Sequence, residues 1–150
     1  MPDKFKRPES VLLIIATRSG DFLLLRRTQP AGFWQSVTGS LEPGETPREA
    51  AWRELREETG LSVPTAALLD LRHRERFPIL PAWRDRYAPN VYENLEHWFA
   101  LVLPFRRLIR VNPHEHLEQG WMSAKTAATL ASSWTNRKAI RLLTPLLPAC

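Results

Sequence analysis

The segment at residues 39–61, GSLEPGETPREAAWRELREETGL, restricts the fold of this chain more than any other. Thr46 and Glu49 have the spacing of a capping box, and Pro47 falls at the first helical position, where a missing N–H costs nothing. Gly60 supplies a left-handed stop after the last turn. The spacing predicts a helix over residues 47–59. Trp52 and Leu55, three apart, together with Ala51, can anchor that helix to a core.

The other side of the helix carries the chemistry. Glu54, Glu57 and Glu58 stand at i, i+3 and i+4, so their carboxylates share one face. Ala50 and Ala51 lie one turn earlier on that face and are expected to leave room for ions and phosphate. Arg53 precedes Glu57 by four residues and can orient it through an ion pair. Three crowded carboxylates repel, and without a cation at least one tends to hold a proton. A hard divalent cation resolves the conflict, and oxygen-only ligands suit Mg2+, with Mn2+ able to substitute. Alone, an E-x-x-E-E run is ordinarily a solvated helix face. The cap, the loop that begins at Gly39 and the spacing of the whole segment point instead to a site. Gly39 therefore joins the three glutamates as a candidate metal-site residue. Glu57 is the first choice to ligate or deprotonate a water, with Arg53 positioning it.

The remainder reads as a mixed α+β chain. The length, 150 residues, suits one domain over residues 1–150. Strands are expected at residues 11–17, 22–27, 33–38, 66–77 and 93–103, the last with Leu95, Phe99, Leu101 and Leu103 on one side. Residues 77–90 hold three prolines and no period, and are read as a long loop of the kind that often binds or covers a ligand. Ser133 can cap a last helix with an apolar stripe of Ile140, Leu143 and Leu147, ended early by Pro145.

Net charge is +5. A basic chain with a focused acidic site suits small polyanions, and steering of anions toward the site follows from the charge. Basic charge alone carries little specificity for nucleic acid, and no aromatic-and-glycine RNA-binding motif is present. The lone cysteine, Cys150, can form no internal disulfide, which fits a reducing compartment. The apolar run at residues 11–16 is too short for a signal-peptide core or a membrane span, so a cytoplasmic protein without membrane attachment is expected. Oligomeric state is left open.

Outside the helix, Arg26 and Arg27 end a strand that leads toward the site. Strand alternation sends them to opposite faces, so at most one reaches phosphate. His114, Glu115 and His116 form an HEH segment. Two histidines at i, i+2 suggest either a transition-metal site or a polar loop. Glu115 can deliver a fourth carboxylate from that loop, as a ligand or as an alternative base to Glu57. One of the six tryptophans can stack on a flat ring.

The helix segment fits G-x5-E-x7-R-E-U-x-E-E-x-G-U (U aliphatic) at every fixed position, an accident expected on the order of once in 10^9 windows of average composition. On these residues the chain resembles the Nudix family, which hydrolyses a diphosphate attached to another moiety using Mg2+. The resemblance implies the Nudix fold, a mixed β-sheet sandwiched between helices. Further segments extend it: KRPES (residues 6–10), FWQSVTGS (33–40), RYAP (86–89), NLEHWF (94–99), EHLEQGW (115–121) and SWTNRKAI (133–140). In order and spacing these are similar to bacterial members that act on a pterin triphosphate and on dATP. That resemblance implies cleavage between the α and β phosphates, with release of pyrophosphate on the route to folate. It implies that Glu54, Glu58 and Glu115 hold Mg2+. It also implies that Lys6, Arg26, Thr38 and Ser133 contact substrate, with Phe77, Pro78, Ile79 and Leu80 as a further contacting stretch. The connection at residues 27–33, RTQPAGF, is one residue longer than the pattern. Two other readings stay open. One is hydrolysis of another (deoxy)nucleoside triphosphate or of RNA 5′ ends. The other is a non-catalytic Nudix-like binding module, which has no need for all three helix glutamates.

Overall fold

Long apolar runs build strands buried on both faces. Strand β1 (Glu9–Thr17) is buried from its second residue onward, and β2 (Asp21–Arg27) is buried through its middle. Alternation divides their side chains between two cores. Val11, Leu13 and Ile15 of β1 join Leu23 and Leu25 of β2 in one cluster; Leu12, Ile14 and Ala16 join Phe22 and Leu24 in the other. The computed structural model describes residues 5–148, so Cys150 lies outside the described residues.

The other elements are β3 (Trp34–Gln35), β4 (Val37–Ser40), α1 (Pro47–Thr59), β5 (Leu69–Pro78), β6 (Glu93–Leu103), β7 (His116–Ser123), α2 (Ala124–Leu130) and α3 (Trp134–Leu143). Seven strands form one mixed sheet in the order β3-β2-β1-β6-β5, with β4 paired to β1 and β7 to β2. β1 runs parallel to β6 along its whole length, from Glu9↔Leu95 to Thr17↔Leu103. β1 and β2 pair at Ala16↔Phe22 and then diverge. Beyond that point β1 takes β4 as partner, and β2 takes β3 and β7. The first core packs under α1 through Ala50, Ala51 and Leu55; the second packs under α2 and α3 through Ala127, Ala139 and Ile140. The sheet is thus sandwiched between helices, as expected of the Nudix fold.

The helix α1 has the predicted bounds and both halves of its capping box. Glu49 N–H donates to the Thr46 hydroxyl at 3.2 Å, and Thr46 N–H donates to the Glu49 carboxylate at 2.9 Å. Gly60 ends it at φ 74°. Ala50 and Ala51 do not border open space, as the sequence reading had them; both are fully buried against the sheet. Ser133 caps α3, accepting from Asn136 N–H at 3.1 Å, and Pro145 ends that helix in a 3-10 turn at Thr144–Leu146.

Other boundaries differ from expectation. Residues 33–38 break at Ser36 into β3 and the start of β4, because the chain changes partner there from β2 to β1. The predicted strand at 66–77 begins later, after a 3-10 turn at Thr65–Ala67. It reaches Pro78 because β5 is an edge strand, where a missing N–H leaves no ladder position empty. The supposed loop at 77–90 contains a 3-10 turn, Pro81–Arg86. Strand β7 and helix α2 had no counterpart in the sequence reading. Among the described residues no helix is long and apolar enough to cross a membrane.

Candidate active site

Residue Arg53 organises the entrance to the site. Its guanidinium donates to Glu45 twice at 2.8 Å, to Glu57 at 2.9 Å and to the Ser40 carbonyl at 3.0 Å. Glu45 is therefore its main partner, which the i, i+4 rule alone did not reveal. The Glu45 carboxyl is held below its usual pKa by that Arg53 hydrogen bond. Glu57 stands at the exposed edge with its side chain half open to solvent.

Deeper in, where β1 and β2 diverge, like charges crowd. Desolvation pushes the Glu54 carboxyl up to about 7; Arg53 opposes the rise, and Glu57 and Glu115 add to it. Desolvation, then the charges of Glu54 and Glu115, hold Glu58 well above the usual carboxylate range. The Thr38 backbone N–H donates to Glu58, yet its Oε1 is buried without a hydrogen-bond partner. Gly39 makes this packing possible: a Cβ there would sit 1.5 Å from Glu54 Oε2. The chain thus brings Gly39, Glu54, Glu58 and Glu115 into one electrostatic cluster, with Glu57 on its rim.

An oxygen donor set with a buried unpaired oxygen, in which desolvation and neighbouring charges raise both Glu54 and Glu58, fits a hard divalent cation. Among the described residues no group of three His, Cys, Asp or Glu side chains forms a ready-made cage. Mg2+ is ordinarily held by a few carboxylates, with phosphate oxygens and water completing its shell.

His116 is not in a polar loop. It opens β7, is 2 % exposed, and has both ring nitrogens unpartnered. Desolvation and the Arg27 charge lower its pKa to about 4. Its 3.8 Å approach to Glu58 Oε1 is then a contact with a neutral ring rather than an ion pair. His114 is exposed and its N–H donates to the Asn112 side chain.

On the opposite face of the sheet lies a cavity of about 300 Å³. Its walls include Phe77, Pro78, Ile79 and Leu80, the aromatic rings of Phe33, Trp83 and Tyr87, and Ser133 at the start of α3. Ser10, Asn94 and Glu96 also line it. Lys6, Arg27, Thr38, Gly39 and Arg86 line it too, and Gly39 is the residue against which Glu54 rests. The cavity and the carboxylates are thus joined at Gly39. Desolvation, then repulsion from Arg86 and Arg27, lowers the Lys6 pKa against the attraction of Glu54 and Glu115, although the residue keeps access to solvent. Desolvation and Arg86 likewise lower Arg27. Three repelling cations beside repelling carboxylates suit a polyanion with bound metal.

The predicted substrate residues divide. Lys6, Thr38, Phe77, Pro78, Ile79, Leu80 and Ser133 all line the cavity, though the Thr38 hydroxyl is committed to the Val11 carbonyl at 2.8 Å. Arg26 does not. It pairs with Glu118 of β7 at 3.2 Å, and Arg27 takes the cavity wall instead. Only one of the two arginines lines the cavity, and it is not the Arg26 that the resemblance implies. A register shift between Arg26 and Arg27 in the β2–β7 pairing turns Arg27 inward. Sequence reasoning also missed Asn94 and Glu96. Glu96 shares a strand face with buried Trp98 and Ala100, and a charge on an otherwise apolar face was the available signal.

The chain belongs to the Nudix family: the NUDIX domain matches residues 6–143. It is a hydrolase of that family, whose members generally require divalent metal ions. More particularly, it is 45% identical over 144 residues to the dihydroneopterin triphosphate diphosphatase of Escherichia coli K12, covering 93% of this chain and 95% of that one. The protein of the same name from Haemophilus influenzae is 40% identical over 141 residues, covering 92% and 88%. The solved structure of the E. coli dihydroneopterin triphosphate pyrophosphohydrolase superposes with a TM-score of 0.88 at 42% identity, covering 95% of this chain and 98% of that one.

Proposed function

We propose that this chain hydrolyses dihydroneopterin triphosphate to the monophosphate and pyrophosphate, with Mg2+, in the cytoplasmic supply of folate. The observation that carries this reading is the union of two spaces. A ring-sized cavity with aromatic walls reaches past Lys6, Arg27 and Thr38 to Gly39, against which the half-buried Glu54 rests, in the same charged cluster as buried Glu58. A flat ring with a triphosphate tail fills both. The names of the similar enzymes support a pterin as that ring.

Glu54, Glu58 and Glu115 would hold Mg2+, with Glu57 and the backbone at Gly39 at its border. When bound, the ion neutralises phosphate charge and acidifies water. The protein supplies position. Arg53 holds Glu57 through the 2.9 Å bond, so that its carboxylate can take a proton from the attacking water. Glu115 is the alternative base. Water attacks a phosphorus at the α–β bridge, the bond from that phosphorus to the bridging oxygen breaks, and pyrophosphate leaves against Lys6, Arg27 and Arg86. Water exclusion by Phe77, Ile79 and Leu80 strengthens those charge contacts.

The test is a substrate panel at fixed Mg2+, comparing kcat/KM for dihydroneopterin triphosphate, dATP, GTP and 5′-triphosphate RNA. The pterin triphosphate is expected to lead. A clear preference for RNA would overturn the substrate while leaving the family intact. Failure to release phosphate or pyrophosphate from any of them would favour a binding module.

A further inference from the structure

Two buried polar groups in this molecule face each other without bonding. Glu58 of α1 and His116 at the start of β7 are 4 % and 2 % exposed. Glu58 Oε1 has no hydrogen-bond partner, and neither ring nitrogen of His116 has one. His116 Nε2 lies 3.8 Å from that oxygen. An N–H···O bond needs about 2.9 Å, so the gap is roughly 1 Å too wide. A buried polar atom left unpaired is costly, and here a single closure would satisfy an atom on each side.

The backbone on the His116 side is fixed. The N–H groups of Glu115 and His116 both donate to the Asn112 carbonyl, at 3.0 and 2.9 Å, and the Glu115 carbonyl accepts from the Thr28 N–H at 2.9 Å. The Glu58 carboxylate already accepts from the Thr38 N–H. A carboxylate has about four acceptor sites, so a second bond from His116 would hold its orientation and still leave two sites for a cation. An imidazole suits zinc or copper better than Mg2+, so the ring fits the part of a donor rather than a ligand. His116 also follows Glu115 directly in the chain. The same bond would therefore tie the strand that delivers Glu115 to the helix that delivers Glu54 and Glu58.

We propose that His116 is a positioning residue for the cation site: its Nε2–H turns onto Glu58 Oε1 when a divalent cation is bound, and sets the orientation of that carboxylate. A neutral imidazole carries one N–H, and Glu58 as acceptor selects the Nε2–H tautomer. Hydrogen-bond partners of ligating carboxylates ordinarily contribute about 10–100-fold to metal affinity. This inference rests on the proposed Mg2+ site and adds to it the group that aims Glu58.

Two measurements, neither of them turnover, test it. In the wild type with Mg2+, nitrogen NMR of the histidine rings should show His116 as the Nε2–H tautomer; the Nδ1–H tautomer overturns the proposal without any mutation. Mn2+ binding in the absence of substrate, followed by the paramagnetic resonance of the free ion, is then compared among variants with wild-type circular dichroism. His116→Leu should weaken binding about tenfold or more. His116→Gln, whose amide N–H can reach the same oxygen, should stay within about threefold of the wild type, because the donor is kept. Equal weakening by leucine and glutamine would assign the ring to packing alone and overturn the proposal. Glu58→Gln separates the two levels of the reading. If it binds Mn2+ as tightly as the wild type, the metal site itself falls, and this inference with it. If it binds weakly while His116→Leu binds normally, only this inference falls.

Discussion

Two carboxyl groups are buried in this molecule on opposite sides of one sheet, and their neighbours differ in kind. Glu58, on the α1 side, faces Glu54 and Glu115 and keeps an unpaired oxygen. Glu96, on the α3 side, faces Trp98 and Thr135 as donors, with only a minor push from Glu75. Desolvation raises both, Glu96 to about 7. Like-charged company creates demand for a cation; neutral donors leave a geometric vacancy for more donors. Equal burial is thus met in two electrostatic settings, one among like charges and one among hydrogen-bond donors.

Variants can break this comparison at the acidic end first. Glu57→Gln is expected to lower kcat at least 10²-fold with KM little changed, the scale of general-base loss. A near-normal rate would move the base role to Glu115. Glu54→Gln and Glu58→Gln should each raise the Mg2+ concentration for half-maximal activity about tenfold or more, and an identical titration curve would contradict their assignment as ligands. Gly39→Ala should mimic them in milder form, because the new methyl displaces the Glu54 carboxylate rather than backbone. A change in Tm without a change in metal dependence would count against that explanation.

The arginine pair gives a finer contrast. Arg27→Ala is expected to raise KM about tenfold, the loss of a charge-assisted phosphate contact. Arg26→Ala should stay within about twofold, since its partner Glu118 is exposed. The reverse ranking would restore the choice made from resemblance.

Acid titration separates the two sides without substrate. A carboxyl whose folded pKa exceeds its unfolded value of 4.5 favours folding while protonated. Its contribution is lost as pH rises through about 7. Between pH 5 and pH 8 the metal-free wild type should lose roughly 2–3 kcal/mol relative to Glu96→Gln, measured by urea denaturation. Mg2+ should return the part of the pH-linked loss that comes from Glu54 and Glu58, and none of the part from Glu96. Full recovery by Mg2+ of the difference between wild type and Glu96→Gln would contradict the division.

Local chemistry explains what could be read in advance. The α1 helix was legible because its cap, its proline and its stop are short-range signals, and its glutamates are neighbours in sequence. The same holds for Ser133 and Pro145 around α3. Residues brought together only by the sheet were not legible. Glu96 and Asn94 depend on β6 lying beside β1, and Arg27 depends on a bulge against β7. His116 looked like a loop residue because its place in a strand comes from pairing with β2, not from a pattern in its own sequence. Ala50 and Ala51 were put on the acidic face by helical spacing, whereas the sheet packs directly against them.

One tie across the molecule carries a last consequence. The Asn136 side chain of α3 accepts from the Ser36 backbone at 2.8 Å and donates to Ser36 Oγ at 2.9 Å, both deep in the interior. This rivet fastens the last helix to the hinge between β3 and β4, so the cavity keeps the wall supplied by α3 only while that helix is docked. Transient undocking would open that chamber from above and leave the acidic helix untouched. Deuterium uptake at the Ser36 amide would then clock the breathing of the chamber, apart from anything happening at the phosphates.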